Sequence, residues 1–89
     1  MASDKATIQE LILTIRSFAQ DRDWEQFHAP KNLSMALAAE AGELMEHFLW
    51  CESEKSRQFC ENPEKKAAIA DELADVLIYA LRFADVACI

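Results

Sequence analysis

The sequence is poor in the residues that interrupt helices, since its 89 positions hold one glycine and two prolines. Folds rich in strands and loops need many more turn residues, so this scarcity favours one all-α domain over residues 1–89. Hydrophobic residues nevertheless make up 52% of the chain. A short domain has little interior in which to bury them. We therefore expect helices whose surplus apolar surface is buried between subunits.

Basic residues are scarce as well: nine Lys and Arg stand against sixteen Asp and Glu, for a net charge of −7. A nucleic-acid polymer is not an expected partner, although an acidic protein can bind a polyphosphate through divalent cations. The most apolar stretch, 69–83, is too short and too often interrupted by charge to span a membrane. Three cysteines without a CxxC motif, and no visible signal peptide, predict a cytoplasmic protein.

The hydrophobic periodicity predicts three main helices, at about 7–21, 32–50 and 63–86. Thr7 and Glu10 have the spacing of a capping box at the first of them. Asn62-Pro63-Glu64 predicts the start of the last one, with Asn62 as the N-cap, proline at the first position and an acid in the first turn. The polar stretch 51–61 is predicted to hold a loop and a short helix, which makes a subunit of the four-helix type.

Two pairs of acidic residues carry the main functional signal. Glu40 and Glu43 are three residues apart in the second predicted helix, and Glu72 and Asp75 are three apart in the last. Residues at this spacing share a helix face, and both pairs lie on apolar stripes that normally face a core. If the two helices pack together, four carboxylates converge. Such a cluster needs cations to be stable.

An all-carboxylate site selects Mg²⁺, Mn²⁺ or Ca²⁺ over zinc and copper. Bound divalent cations clamp a polyphosphate and polarise a P–O bond. Di-iron bundles use Glu-x-x-His pairs, whereas Glu43 and Asp75 take the second places here. Two alternatives stay open at this point: acids on a solvated or ion-paired face, and a zinc site at His47 and Cys51, whose spacing fits but which lacks further ligands.

The connection between the first two helices is rich in aromatic and hydrogen-bonding side chains, among them Trp24, Phe27 and His28. These aromatic residues either fill the core or line a binding site. Gly42, between the two glutamates, costs about 1 kcal/mol in a helix relative to alanine. Close approach of another backbone or of a ligand would explain it.

These motifs resemble the all-α nucleoside triphosphate pyrophosphohydrolases of the MazG-like superfamily, and within it the dCTP pyrophosphatase branch. The acidic signature is Glu40-x-x-Glu43, a gap of 28 residues, and Glu72-x-x-Asp75. More specific are the run RDWEQFH at 22–28, followed by Pro30 and Asn32-Leu33, together with Trp50 and the run DVLIY at 75–79. The resemblance spans roughly residues 8–79.

The resemblance implies a subunit that forms a homodimer or a tetramer of paired dimers. It also implies Mg²⁺-dependent hydrolysis of a nucleoside triphosphate to monophosphate and pyrophosphate, which would remove non-standard or surplus deoxynucleotides. The metal ligands it implies are Glu40, Glu43, Glu72 and Asp75, with Glu40 or Glu43 acting on the attacking water. The residues it implies for the nucleotide pocket are Trp24, His28, Trp50 and Tyr79. Lys31 and Lys55 are further candidate contacts to the phosphates.

The chain departs from this branch in two places. Vertebrate members carry a base-contacting histidine where this sequence has Ile15, so the resemblance does not extend to a preference for cytosine. Family members also continue past the position of Ile89 with a segment bearing Lys, Asn and Tyr, which we expect to be absent here. Two alternatives to an enzyme follow: a metal-dependent nucleotide sensor with little turnover, and a structural helical oligomer.

Overall fold

The computed structural model describes residues 5–89, which form four helices and no strand. The helices are α1 (Ile8–Asp21), α2 (Pro30–Glu46), α3 (Ser56–Glu61) and α4 (Pro63–Val86), with short 3₁₀ turns at Glu25–Phe27 and Ser53–Lys55. The predicted all-α class is therefore confirmed. Within the described part of the chain, no helix combines the length and the hydropathy needed to cross a bilayer.

Two helices begin where the sequence signals place them. The Thr7 hydroxyl accepts a hydrogen bond from the Glu10 backbone N–H at 3.1 Å, and the Glu10 carboxylate accepts from the Thr7 N–H, so the capping box of α1 is complete. At the start of α4, Asn62 Oδ1 accepts from the N–H groups of Glu64 and Lys65 at 3.0 and 3.1 Å. Both caps satisfy backbone donors that have no partner inside the helix.

The second helix differs from the prediction at both ends. It begins at Pro30, two residues early, because proline is well suited to the first helical position and Ala29 before it is extended, with ψ of 145°. It ends at Glu46, well short of Trp50. Residues 47–49 instead make hydrogen bonds to the carbonyl three residues back, the tighter pattern common at helix ends.

The long helix α4 holds the subunit together, since α1, α2 and α3 each pack against it. Among residues 5–89, the fully buried apolar side chains are only Ala19 of α1 and Leu33 of α2. Leu73 and Leu77 of α4 are about half exposed. Part of the apolar surface of segment 69–83 therefore stays exposed in a single subunit.

Gly42 does not serve a close approach inside the subunit. A Cβ atom built at this position would meet no heavy atom of a neighbouring element within 4 Å. The explanation of Gly42 by tight packing of helices within one chain is therefore wrong. The space beside it is open to another molecule.

Candidate metal centre and the adjoining cavity

Helices α2 and α4 bring three carboxylates together. Glu40 and Glu43 lie one turn apart on α2, Glu72 lies on α4, and one oxygen from each lies within 4.8 Å of the others. The fourth predicted ligand, Asp75, is not part of this group but lies on the wall of the adjoining cavity, as Glu40 does. The structure thus brings three of the four predicted carboxylates into one cluster, and their role as ligands stays a prediction.

Two oxygens of this cluster are buried without a partner. Glu40 Oε2 and Glu72 Oε2 accept no hydrogen bond from any of the described residues, and a buried acceptor left in this state is costly. The pKa of Glu40 is raised to about 7, first because its protonated form can hydrogen-bond to Glu72, then by burial and by the nearby Glu43. A proton or a cation at this position therefore relieves the repulsion.

A cavity of about 310 Å³ lies beside the carboxylate cluster and shares Glu40 with it. Its wall combines apolar, aromatic and polar side chains, as is typical of a small-molecule site. The lining residues are Ile15, Phe18, Ala19, Trp24, His28, Glu40, Asp75, Ile78, Tyr79 and Arg82. A ligand in the cavity would lie next to an ion held by the cluster.

Three of the predicted substrate contacts line this cavity: Trp24, His28 and Tyr79. Ile15 lines it too, so the position at which the chain departs from the vertebrate members does face the candidate ligand site. The ring of Trp24 meets Phe18 edge to face, with centroids 5.5 Å apart. Trp24 is 42% exposed and so leaves part of its ring accessible, which favours the interpretation of this segment as a binding wall over a core plug.

The other predicted contacts lie outside the cavity. Trp50 is 97% exposed and lies in a surface depression with Lys55 and His47. Lys31 is exposed in the first turn of α2 and is not part of the cavity wall. Cys51 lies in the same depression as His47, but among residues 5–89 the only group of three potential metal ligands is the carboxylate cluster. The zinc alternative therefore gains no support.

A network of charges around the buried Arg82, on the wall of the cavity, was not predicted from the sequence. Arg82, 5% exposed, donates from Nε to His28 Nδ1 at 2.9 Å and from a terminal nitrogen to Asp85 at 3.2 Å. Two hydrogen bonds from Arg16 lower the pKa of Asp85 against the effect of burial, and the charge of Arg82 adds to them. Glu25 lies 3.8 Å from Arg82. The sequence signal that could have revealed this network is Arg82 itself, an arginine in an apolar segment that is followed three residues later by Asp85.

Comparison with known proteins identifies a protein family and curated relatives of this chain. The model of the MazG-like family matches residues 35–87, which include both acidic pairs. The proteins named dCTP pyrophosphatase 1 in Homo sapiens and Bos taurus are each 42% identical over 82 residues, which is 92% of this chain and 48% of theirs. The chain thus spans about half the length of these curated relatives.

The fold is also similar to that of a solved structure. The crystal structure of a pyrophosphatase from Archaeoglobus fulgidus superposes with a TM-score of 0.85 at 36% sequence identity, covering all of this chain and 82% of that one. The resemblance inferred from the acidic pairs and the run at 22–28 is confirmed. The chain belongs to the MazG-like family.

Proposed function

We propose that this protein is a Mg²⁺-dependent nucleoside triphosphate pyrophosphohydrolase, which converts a (deoxy)nucleoside triphosphate to the monophosphate and pyrophosphate. The observation that carries the proposal is the cluster of Glu40, Glu43 and Glu72, with two buried oxygens that lack partners, beside an aromatic-lined cavity. The names of the relatives, dCTP pyrophosphatase and pyrophosphatase, support the same class of reaction. Removal of non-standard or surplus deoxynucleotides would be its role.

The residues of the cluster fit a hard divalent cation. Carboxylate oxygens are the ligands that Mg²⁺ and Mn²⁺ prefer, and the cluster contains neither thiol nor imidazole. An ion would also supply the partner that Glu40 Oε2 and Glu72 Oε2 lack. We propose that Glu40, Glu43 and Glu72 hold Mg²⁺, with Mn²⁺ as a substitute and Asp75 as the fourth carboxylate. When bound, such an ion neutralises phosphate charge and polarises the P–O bond.

The cavity residues bind and orient the nucleotide in this proposal. Trp24 and Phe18 offer aromatic faces for the base, and Tyr79 and His28 offer hydrogen-bonding atoms. The phosphates extend toward the cluster, where Glu40 adjoins the cavity. Glu40 or Glu43 orients a water for attack on the α-phosphorus and accepts its proton, while the bond to the bridging oxygen breaks and pyrophosphate leaves.

Phosphorus NMR of the protein with a panel of dNTPs, with and without Mg²⁺, tests the reaction. The expected products are nucleoside monophosphate and pyrophosphate, formed only with the metal. Orthophosphate and diphosphate would place the protein in another class. Binding of nucleotide without any product would favour the sensor alternative.

A matched pair of variants on α2 tests the cluster. Glu40→Gln keeps the size of the side chain and removes the charge, and we expect hydrolysis to be lost while the fold is kept. Glu46→Gln on the same helix lies outside the cluster and should retain the parental rate. Parental turnover by Glu40→Gln would remove Glu40 from the mechanism. A melting temperature unaffected by millimolar Mg²⁺ would favour a structural oligomer.

We also propose that the subunit assembles into a homodimer or homotetramer. Its radius of gyration is 15.0 Å, against about 12 Å for a compact domain of this length. Its accessible surface is 6884 Å², about 1,600 Å² more than the roughly 5,300 Å² expected for a folded monomer of this mass. That excess belongs to one subunit and is larger than the roughly 800 Å² that each partner buries in a standard protein interface. Sedimentation analysis that finds only monomers at micromolar concentration would contradict the assembly.

A cytoplasmic location completes the proposal. Cys51, Cys60 and Cys88 are free thiols, two of them at least partly shielded, which suits a reducing compartment. Fractionation of the source cells, with detection by an antibody, tests this assignment.

A further inference from the structure

The contact between Arg82 and His28 determines which ring nitrogen of His28 carries the hydrogen. Arg82 Nε donates to His28 Nδ1 at 2.9 Å. Arginine has donors only and stays protonated, so Nδ1 must be the nitrogen with the free lone pair. The ring is therefore neutral and carries its hydrogen on Nε2. Burial and the charge of Arg82 lower the pKa of His28, with Glu25 acting in the opposite sense, which agrees with a neutral ring.

We propose that Arg82 is a positioning residue that holds His28 as a hydrogen-bond donor, through Nε2–H, to an acceptor atom on the edge of the base. This inference rests on the proposed function, in which the cavity binds a nucleotide. His28 lines the cavity, and because Nδ1 is occupied, Nε2 is the ring nitrogen left for a ligand. His28 lies on the aromatic side of the cavity, with its ring 6.4 Å from that of Trp24, so the acceptor belongs to the base and not to the phosphates.

Arg82 is well held for this task. Its guanidinium is almost inaccessible to solvent and contacts Asp85 at 3.2 Å and Glu25 at 3.8 Å, in addition to His28. Asp85 is itself fixed by two hydrogen bonds from Arg16 on α1. The two cations and two anions balance, and the planar fork of Arg82 cannot turn away from His28 without breaking an ion pair. The three contacts are made by three different nitrogens of the guanidinium, a geometry that the single nitrogen of a lysine does not reproduce.

Nitrogen-15 NMR of the imidazole rings tests the tautomer directly. The chain has only two histidines, and His47 lies outside the cavity wall and serves as the reference. We expect His28 to show a single tautomer with hydrogen on Nε2, and Arg82→Met to release it into a mixture. A mixed tautomer in the parent protein, or an unchanged His28 signal in Arg82→Met, would overturn the inference.

A pair of substitutions at His28 separates the donor at Nε2 from the acceptor that Arg82 uses at Nδ1. His28→Asn places an amide oxygen near the position of Nδ1, where Arg82 still finds an acceptor, but offers no donor at the position of Nε2. His28→Gln reaches the position of Nε2 with its amide group. We expect KM for the preferred dNTP to rise about tenfold in His28→Asn, the typical loss of one hydrogen bond. It should rise less in His28→Gln, which keeps a donor at the position of Nε2 but gives up the acceptor for Arg82. The value of kcat should change little in either, because the contact is made in the ground state and the transition state alike.

The outcomes separate this inference from the proposed function. If the parent protein hydrolyses nucleotides but His28→Asn and His28→Gln have equal KM, the donor role is overturned and the function stands. If the parent hydrolyses no nucleotide, the proposed function fails, and with it the assignment of the acceptor to a base. The NMR measurement then still decides whether Arg82 fixes the tautomer of His28.

Discussion

Removing the charge of Asp85 should destabilise the subunit far more than its position near the end of α4 suggests. Asp85→Asn keeps the shape of the side chain, but leaves Arg82, which is 5% exposed, with only the half-exposed Glu25 as an anion at 3.8 Å. Breaking a buried ion pair by removing one partner costs about 3–5 kcal/mol. We expect about 3 kcal/mol, the lower end, because the amide oxygen can still accept a hydrogen bond from Arg82. For a domain of this size that lowers Tm by roughly 12–24 °C.

Two further variants make this expectation specific. Arg16 also contacts Asp85 but is 40% exposed, so Arg16→Gln should cost only about 0.5–1 kcal/mol. Replacing the whole pair, in Arg82→Met combined with Asp85→Leu, should be much milder than Asp85→Asn, because no charge is then left buried. Equal losses in Asp85→Asn and Arg16→Gln would refute the reasoning.

Urea unfolding followed by circular dichroism measures these free energies, at one protein concentration because assembly also stabilises the fold. The pH dependence supplies an internal check. The pKa of Asp85 is lowered from its usual 3.8, so the carboxylate contributes stability above pH 3.8 that is lost as the pH falls through the lower value of the folded protein. The difference between the parent and Asp85→Asn should therefore shrink as the pH drops below 3.8. A difference that persists in acid would show that the charge is not its source.

Three other perturbations have clear expected outcomes. Gly42→Ala should raise the free energy of unfolding of the metal-free subunit by about 1 kcal/mol, and Ala41→Gly should lower it by a similar amount. A lower free energy of unfolding in Gly42→Ala would mean that another molecule fills the open space beside Gly42. Without divalent cations, Tm should fall as the pH rises from 4.5 through about 7, because the pKa of Glu40 is raised and only its protonated form stabilises the fold. Adding Mn²⁺ or replacing the residue in Glu40→Gln should flatten this profile. A flat profile in the untreated parent would contradict the expectation. Leu77→Glu, on the exposed face of α4, should convert the oligomer to monomers in sedimentation, and unchanged assembly would place the interface elsewhere.

Much of the fold was predictable because its signals are local. The capping box at Thr7 and the Asn62-Pro63 start are satisfied within a few residues of the chain, so they are readable from sequence and hold in the structure. The end of α2 was placed near Trp50, four residues too far. No glycine or proline marks that end in the sequence, and the change to the tighter hydrogen-bond pattern at 47–49 appears only in the structure.

For the candidate site, too, some features follow from local sequence patterns and others depend on how the helices pack. By itself, the sequence determined the helical class, the two acidic pairs and the Trp24–His28 segment, because helical spacing places acids three apart on one face and apolar stripes indicate which faces pack. Only the tertiary structure decided that Asp75 lies on the cavity wall while Glu72 joins the two α2 glutamates. It alone brought Arg82 to His28, 54 residues away along the chain. Periodicity describes each helix separately, whereas these contacts depend on the rotation and register with which α1, α2 and α4 pack.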